Sequence, residues 1–373
     1  MGTEFTVDDM SCVQNSRIPD INIGYDVRGA SQGIRVSQRI CCFIGTLDTA
    51  ATAEPNTLYD IVSLAQAEEL FGKDSNITQQ ISAALAVFRN GTYCAVAMDE
   101  INLSSDSNAP DFQPDFEAMF CELKTRTVHI LSYPYEINGN AESATLLKAY
   151  LELVGNPIEQ RPAIAVSAFV GNLITPPNYP IANNKRIAYV NALDCDQSKE
   201  HICGAVAAAI LRSTHPAVPL NGVSLRLTGT KSFLRSECDV LLRRGVTPLQ
   251  INAAKNLEIV RLISTETGGT SEELPDMWIR SLDYIREAML GDLRHCFDGR
   301  VLTDESAESV RSVIIGCLKK LEEEDVVKNV DANVDLITVA PNTKKRGFLT
   351  ASIPADIVIG LHGMDGMINM LLS

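Results

Sequence analysis

The 373-residue sequence lacks the marks of several large protein classes. No apolar run approaches the ~18 residues of a membrane span. Lys and Arg number 32 against 47 Asp and Glu, a formal net charge of −15, so the basic surface that nucleic acids and anionic membranes attract is not expected. Aromatic residues are only 6%, but 45% hydrophobic and 21% charged residues exclude a disordered or fibrous chain. The length predicts two or three domains.

The sequence also starts without a basic, apolar leader, so we expect the protein to be made and assembled in the cytoplasm. None of its ten cysteines forms a Cys-x-x-Cys pair. In a chain of this length they are typical of reduced, mostly buried thiols.

Catalytic and ligand-binding motifs are incomplete. The segment GTKS at 229–232 ends like a phosphate-binding loop, but a threonine intervenes between its glycine and lysine. Cys195, His201 and Cys203 lie close together as metal ligands would. His201 and Cys203, however, are two residues apart on a predicted helix, so their side chains point in different directions and do not easily bind one metal ion. Gly-Thr-Ser at 269–271 and His-Gly at 362–363 are similar to subtilase motifs in the wrong order. These incomplete motifs do not support an active site, although they do not exclude one.

Apolar strands alternate with amphipathic helices through the first two thirds of the chain. The pattern predicts strands over 40–45, 92–98, 127–134, 163–171 and 186–193, and helices over 76–89, 141–154 and 198–212. Such alternation indicates a layered, mostly parallel sheet. The pattern also predicts a hairpin over 249–265, followed by two long amphipathic helices. Further strands are predicted over 331–341 and 347–361.

Both ends of the sequence carry apolar residues with the period of two that is typical of a strand with one apolar face. Near the start these residues are Ile21, Ile23, Tyr25 and Val27. Near the end they are Ile357, Ile359 and Leu361. Terminal segments are usually polar and frayed, so each of these strands needs a partner. The partner is either the chain's own sheet or a sheet of another chain.

Several segments, taken in order, resemble the tail sheath proteins of contractile phages and related injection systems, most closely the Mu-type sheath. The resemblance covers nearly the whole chain, and the segments that carry it are 18–29, 40–45, 67–98, 241–251, 275–290 and 347–372. Among them are LLRRGVTPLQI and PDMWIRSLDYIREAML. No single segment is specific to this family, but the order of all of them along the chain is.

The resemblance implies a multidomain α/β and α+β fold. It comprises a subtilisin-like but non-catalytic α/β outer domain, a compact α+β C-terminal inner domain, and extended strand arms at both ends. It implies a structural subunit, not an enzyme, without cofactor or metal. Copies would polymerise helically around an inner tail tube and contract to drive the tube through a target envelope. The implied partners are neighbouring copies, the tube protein, and baseplate and terminator proteins, with no direct contact to nucleic acid or membrane. The implied location is the tail of a contractile particle.

On this basis we expect an N-terminal arm over 1–36, a sheath domain over 37–230, an inner domain over 231–350 and a C-terminal arm over 351–373. The seven alternating apolar residues named above would form strands exchanged between subunits. Candidates for a tube-facing surface are the basic residues Lys319, Lys320, Lys344, Lys345 and Arg346.

Two other functions stay open at this point. One is a cytoplasmic α/β hydrolase-like enzyme, which a serine-hydrolase probe would label. The other is a non-contractile tail adaptor or capping protein, which would form closed rings and no long cylinders.

Overall fold

The structure is a computed structural model that describes residues 39–102, 112–156, 158–175, 181–267, 277–297, 304–341, 343 and 348–359. It divides into two compact units. The sheet unit is Ser37–Tyr284 together with the described residues Val358 and Ile359, and the C-terminal unit is Ile285–Ile357 within the described part of the chain.

The strands of the sheet unit are β1 (Ile40–Thr46), β2 (Leu58–Ile61), β3 (Thr92–Met98), β4 (Glu100–Asn102), β5 (Phe112–Pro114), β6 (Ile130–Ser132), β7 (Ile164–Val170), β8 (Ile187–Ala192), β9 (Ser224–Thr228), β10 (Val246–Ile251) and β11 (Asn256–Ile259). Nine of them form one sheet in the order β2-β3-β1-β6-β7-β8-β10-β11-β9, and β4 and β5 form a separate ribbon. The six strands from β3 to β10 are parallel, while β2, β11 and β9 pair antiparallel at the edges.

The helices of the sheet unit are α1 (Leu64–Phe71), α2 (Asn76–Val87), α3 (Phe116–Leu123), α4 (Glu142–Gly155), α5 (Lys199–Arg212) and α6 (Arg235–Arg243). Side-chain oxygens cap the N-termini of several of these helices. Ser63, Ser75 and Asp115 each accept a hydrogen bond from a backbone N–H in the first turn, the usual N-cap arrangement. The next helix, α7 (Ile279–Phe297), begins in the sheet unit and ends in the C-terminal unit.

The sheet unit has an apolar core on each face of its sheet. Cys41 and Phe43 face a cluster with α1, α2 and α5, while Cys42 and Ile44 face a cluster with α3, α4 and α6. Because successive strand residues point to opposite faces, a run such as ICCFIG, apolar at every position, becomes a strand covered by helices on both sides.

The C-terminal unit takes up the second part of α7 and adds α8 (Asp304–Glu323), β12 (Val327–Lys328), α9 (Val330–Asn333), β13 (Thr338–Pro341), β14 (Leu349–Ser352) and β15 (Asp356–Ile357). A short 3₁₀ helix, Val334–Leu336, joins α9 to β13. Its strands form two antiparallel pairs, β12 with β15 and β13 with β14. In the described part of the chain, no helix combines the length and the apolar character needed to cross a bilayer.

The predicted alternation of helices and parallel strands, the hairpin in 249–265 and the two long helices are all confirmed. The strand predicted over 331–341 is wrong in its first half, which forms α9 and the 3₁₀ helix. Local apolar spacing there does not distinguish a short helix, since the run is only about one turn long.

The predicted domain division at residue 230 also differs from the division of the structure. Strand β10 pairs in parallel with β8, Val246 opposite Tyr189, so residues 231–284 lie in the sheet unit. The sequence pattern changes near residue 230 because the chain there forms the antiparallel edge of the same sheet, not because a new domain with its own core begins. The roles expected for the outer and inner domains and for the arms stay predictions.

Candidate assembly surface

The β13–β14 hairpin of the C-terminal unit is largely exposed. Six of its eight side chains are exposed, and only Val339 and Leu349 are partly covered. Within the described residues no third strand joins the pair, although a two-stranded ribbon alone is marginal in water. Leu336 lies two residues before β13 and Phe348 lies directly before β14, and these apolar side chains are 60% and 58% exposed. This hairpin is therefore suited to extension by further strands.

Side-chain hydrogen bonds hold the start of this hairpin against α8. The Arg311 guanidinium donates from Nε to the Ile337 carbonyl and from Nη2 to the Val334 carbonyl, both at 2.9 Å. Ile337 is buried directly before β13. The residues directly before β13 are thus held against α8, while the two strands of the hairpin remain exposed.

The C-terminal arm residues are only partly described. Ile357 lies in β15 opposite Val327, and its neighbour Asp356 lies opposite Lys328, so these two residues pair within the chain. The strand ends there, and Ile359 is 51% exposed. Leu361 lies outside the described residues, as do the N-terminal candidates Ile21, Ile23, Tyr25 and Val27. Exchange of these strands between subunits stays a prediction.

Two of the five basic candidates are described, and each forms an ion pair within the C-terminal unit. Lys319 Nζ lies 2.9 Å from Asp331 Oδ1 on α9, and this hydrogen bond and charge raise the pKa of Lys319 above its usual value. Lys320 Nζ lies 3.3 Å from Asp292 Oδ2 on α7. Lys344, Lys345 and Arg346 lie outside the described residues.

A cluster that the sequence reasoning missed surrounds β15. Asn329 Nδ2 and Asn333 Nδ2 lie 3.1 Å and 3.4 Å from the same Oδ2 of Asp356. Asn329 lies directly before α9 and Asn333 is the last residue of that helix, so the two asparagines are four residues apart. That spacing was readable in the sequence, but its acceptor, 23 residues later, was not.

The sheet unit contains one serine–histidine contact, which bears on the hydrolase alternative. Ser198 Oγ lies 2.9 Å from His201 Nδ1 and 2.7 Å from Gln79 Oε1. A hydroxyl carries one hydrogen, so Gln79 Oε1 competes with the His201 ring nitrogen for it. Burial also lowers the pKa of His201. The contact therefore fits the start of α5 better than an active site.

The buried thiols have little chemical reactivity. Burial raises the pKa of Cys41, Cys42 and Cys203 well above the usual value, and only the thiolate is a nucleophile or metal ligand. In the part of the chain that the structure describes, no three His, Cys, Asp or Glu side chains are grouped to hold a metal ion.

The fold of this chain is similar to that of sheath proteins of contractile injection systems. The crystal structure of the sheath tail protein from Desulfitobacterium hafniense matches 92% of this chain and 97% of its own, with a TM-score of 0.63 and 10% identity. The contracted sheath of an extracellular contractile injection system, PVC, matches 95% of this chain and 98% of its own, with a TM-score of 0.66 and 11% identity.

The contracted helical sheath of the anti-feeding prophage matches 96% of this chain and 99% of its own, with a TM-score of 0.62 and 11% identity. The sequence matches no protein-family model and no curated protein. At these identities the likeness lies in the fold.

Proposed function

We propose that this protein is a structural subunit of a contractile tail sheath, which polymerises helically around an inner tube and contracts to drive that tube through a target envelope. The observation that carries this proposal is the match over at least 92% of this chain and 97% of the sheath chains compared above. A match of that extent includes most of both units. The protein would have no catalytic role and would reside in the tail of a contractile particle.

In this proposal the sheet unit supplies the non-catalytic, subtilisin-like outer part and the C-terminal unit the inner part. Neighbouring copies and the tube, baseplate and terminator proteins are its partners. The C-terminal unit carries the exposed β13–β14 hairpin and the basic candidates on α8, while net charge −15 disfavours direct contact with nucleic acid.

Strand exchange would hold the assembly together. An arm that adds to the hairpin of a neighbour satisfies backbone donors and acceptors across the subunit boundary. Such a head-to-tail contact need not close, so it generates a helix of unlimited length. Because strands stay paired while packed surfaces change partners, subunits could move from a strained, extended packing to a shorter, more stable one without separating.

Electron microscopy of the purified protein tests the assembly. We expect long, hollow, helically striated cylinders from the wild-type chain. Closed rings alone would support an adaptor or capping protein instead. Discrete particles at every concentration, together with stoichiometric labelling by a serine-hydrolase probe, would contradict the sheath and favour an enzyme.

Arm variants test strand exchange. Replacing Ile21, Ile23, Tyr25 and Val27 with serine removes one face of the predicted strand and should leave folded protein that forms no cylinders. The matched control replaces Asn22 and Asp26, on the opposite face, and should assemble normally. Normal cylinders from the apolar-face variant would refute the role of the N-terminal arm.

A further inference from the structure

The end of β15 is held by side chains as well as by its backbone. Asp356 Oδ2 accepts hydrogen bonds from Asn329 Nδ2 at 3.1 Å and Asn333 Nδ2 at 3.4 Å. Across the β12–β15 pair, Lys328 lies opposite Asp356, and opposite charges at facing positions attract. One carboxylate is thus the acceptor for two amides and the neighbour of one cation.

The two asparagines are fixed by the elements that carry them. Asn329 adopts a left-handed conformation, φ 59° and ψ 32°, which asparagine tolerates better than most residues. The chain therefore turns directly from β12 into α9. Glu322 Oε1 of α8 accepts the Val330 N–H at 3.1 Å, and Val327 and Val330 are buried. The amides are consequently presented from a rigid base.

The backbone alone holds β15 weakly. The β12–β15 ladder has only two residue pairs, too few for a ribbon to be stable by itself. The chain leaves the C-terminal unit directly after Ile357. Side-chain contacts to Asp356 therefore act one residue before the chain leaves this unit.

We infer that Asp356, held by Asn329 and Asn333, is the positioning residue that fixes where and in which direction the C-terminal arm leaves the C-terminal unit. This inference rests on the proposed sheath function. An arm with a fixed root meets its neighbour from one direction, whereas an arm with a loose root samples many, so fewer encounters join subunits.

Three variants test the inference in the full-length chain. Asp356→Ala removes the acceptor. A double variant that combines Asn329→Asp with Asp356→Asn exchanges donor and acceptor at one of the two contacts, so the new amide at position 356 can donate to the new carboxylate at position 329. Asp335→Ala, at an exposed carboxylate of the same unit, is the control for loss of charge.

The readouts are hydrogen exchange of the peptide containing Asp356 and Ile357, and the fraction of protein that sediments as cylinders. Loss of charge-assisted bonds should raise the exchange about tenfold in Asp356→Ala and lower the cylinder fraction, with the thermal midpoint nearly unchanged. The exchanged double variant should recover part of both values, and Asp335→Ala should match wild type. Recovery by the double variant separates positioning from general stability, even if Asp356→Ala folds poorly.

The outcomes separate the two proposals. Normal exchange and normal cylinders from Asp356→Ala would overturn the positioning role and leave the sheath function intact. A double variant that behaves like Asp356→Ala would also overturn it. Absence of cylinders from the wild-type chain would contradict the sheath function itself, while the exchange measurement would still report whether Asp356 anchors β15.

Discussion

Replacing Gly204 with alanine should separate two helices, α5 and α2, where they cross in the sheet unit. Gly204 lies in the middle of α5, where it faces the backbone of α2. A Cβ atom there would lie 2.1 Å from the carbonyl oxygen of Gln80 and 2.8 Å from its Cα. These are backbone atoms, so no side-chain rotation relieves the overlap.

The magnitude follows from two opposing effects. Alanine improves helix propensity by about 1 kcal/mol relative to glycine. Relieving the overlap requires α2 and α5 to move apart by about 1 Å, and overpacking of a tight core costs about 1–3 kcal/mol, or more when backbone must shift. Contacts around the crossing also weaken as the gap opens. We expect a net loss of about 2 kcal/mol in the free energy of unfolding.

The chain offers a matched control. Gly316 also lies inside a helix, α8, but a Cβ there would have no atom within 4 Å. Gly316→Ala should therefore gain up to about 1 kcal/mol from helix propensity alone. Urea unfolding followed by circular dichroism measures both variants. The fluorescence of Trp278, the single tryptophan, reports separately on the sheet unit that contains Gly204.

A Gly204→Ala variant as stable as wild type would refute the close crossing. A loss of equal size in both variants would show that alanine is unfavourable for a reason unrelated to contact with Gln80. Stabilisation of Gly316→Ala beside destabilisation of Gly204→Ala is the result that the structure requires.

Two further predictions concern charged groups of the sheet unit. Arg186 makes a two-pronged ion pair with Asp283, 2.6 and 3.0 Å, with both side chains largely buried, so Arg186→Ala should lower the unfolding free energy by about 3 kcal/mol. Arg243→Ala, which breaks an exposed pair, should change it by less than about 0.5 kcal/mol in the same denaturation assay. Because burial lowers the pKa of His201, the unfolded chain binds more protons, and stability should fall as pH drops below the unfolded value of about 6.5. His201→Gln should show a smaller fall in unfolding midpoints measured between pH 7 and 5, and an unchanged fall would contradict this assignment.

Local patterns predicted most of the elements. The apolar runs 40–45 and 92–98 became β1 and β3 because strands covered on both faces need apolar side chains at every position. The spacing of apolar residues in 76–89 and 198–212 predicted α2 and α5. These signals are strong because they repeat over two or more turns or a whole strand.

The candidate assembly surface was predicted less completely. Alternation at Ile357 and Ile359 indicated a strand, but only Asp356 and Ile357 pair, with β12. Lys319 and Lys320 stood out as a charge pair, yet their partners Asp331 and Asp292 come from other helices. Which residues meet across such distances depends on helix packing, which local spacing does not encode.

Side-chain pattern and composition alone indicate most of the helices and strands of the sheet unit, as well as the acidic charge. Three features depend on how the chain folds: β10 joins β8, α5 carries glycine where it meets α2, and Asp356 accepts hydrogen bonds from Asn329 and Asn333. Each of these pairings joins residues far apart in the chain. Their geometry is set by how whole elements pack, which no local pattern contains.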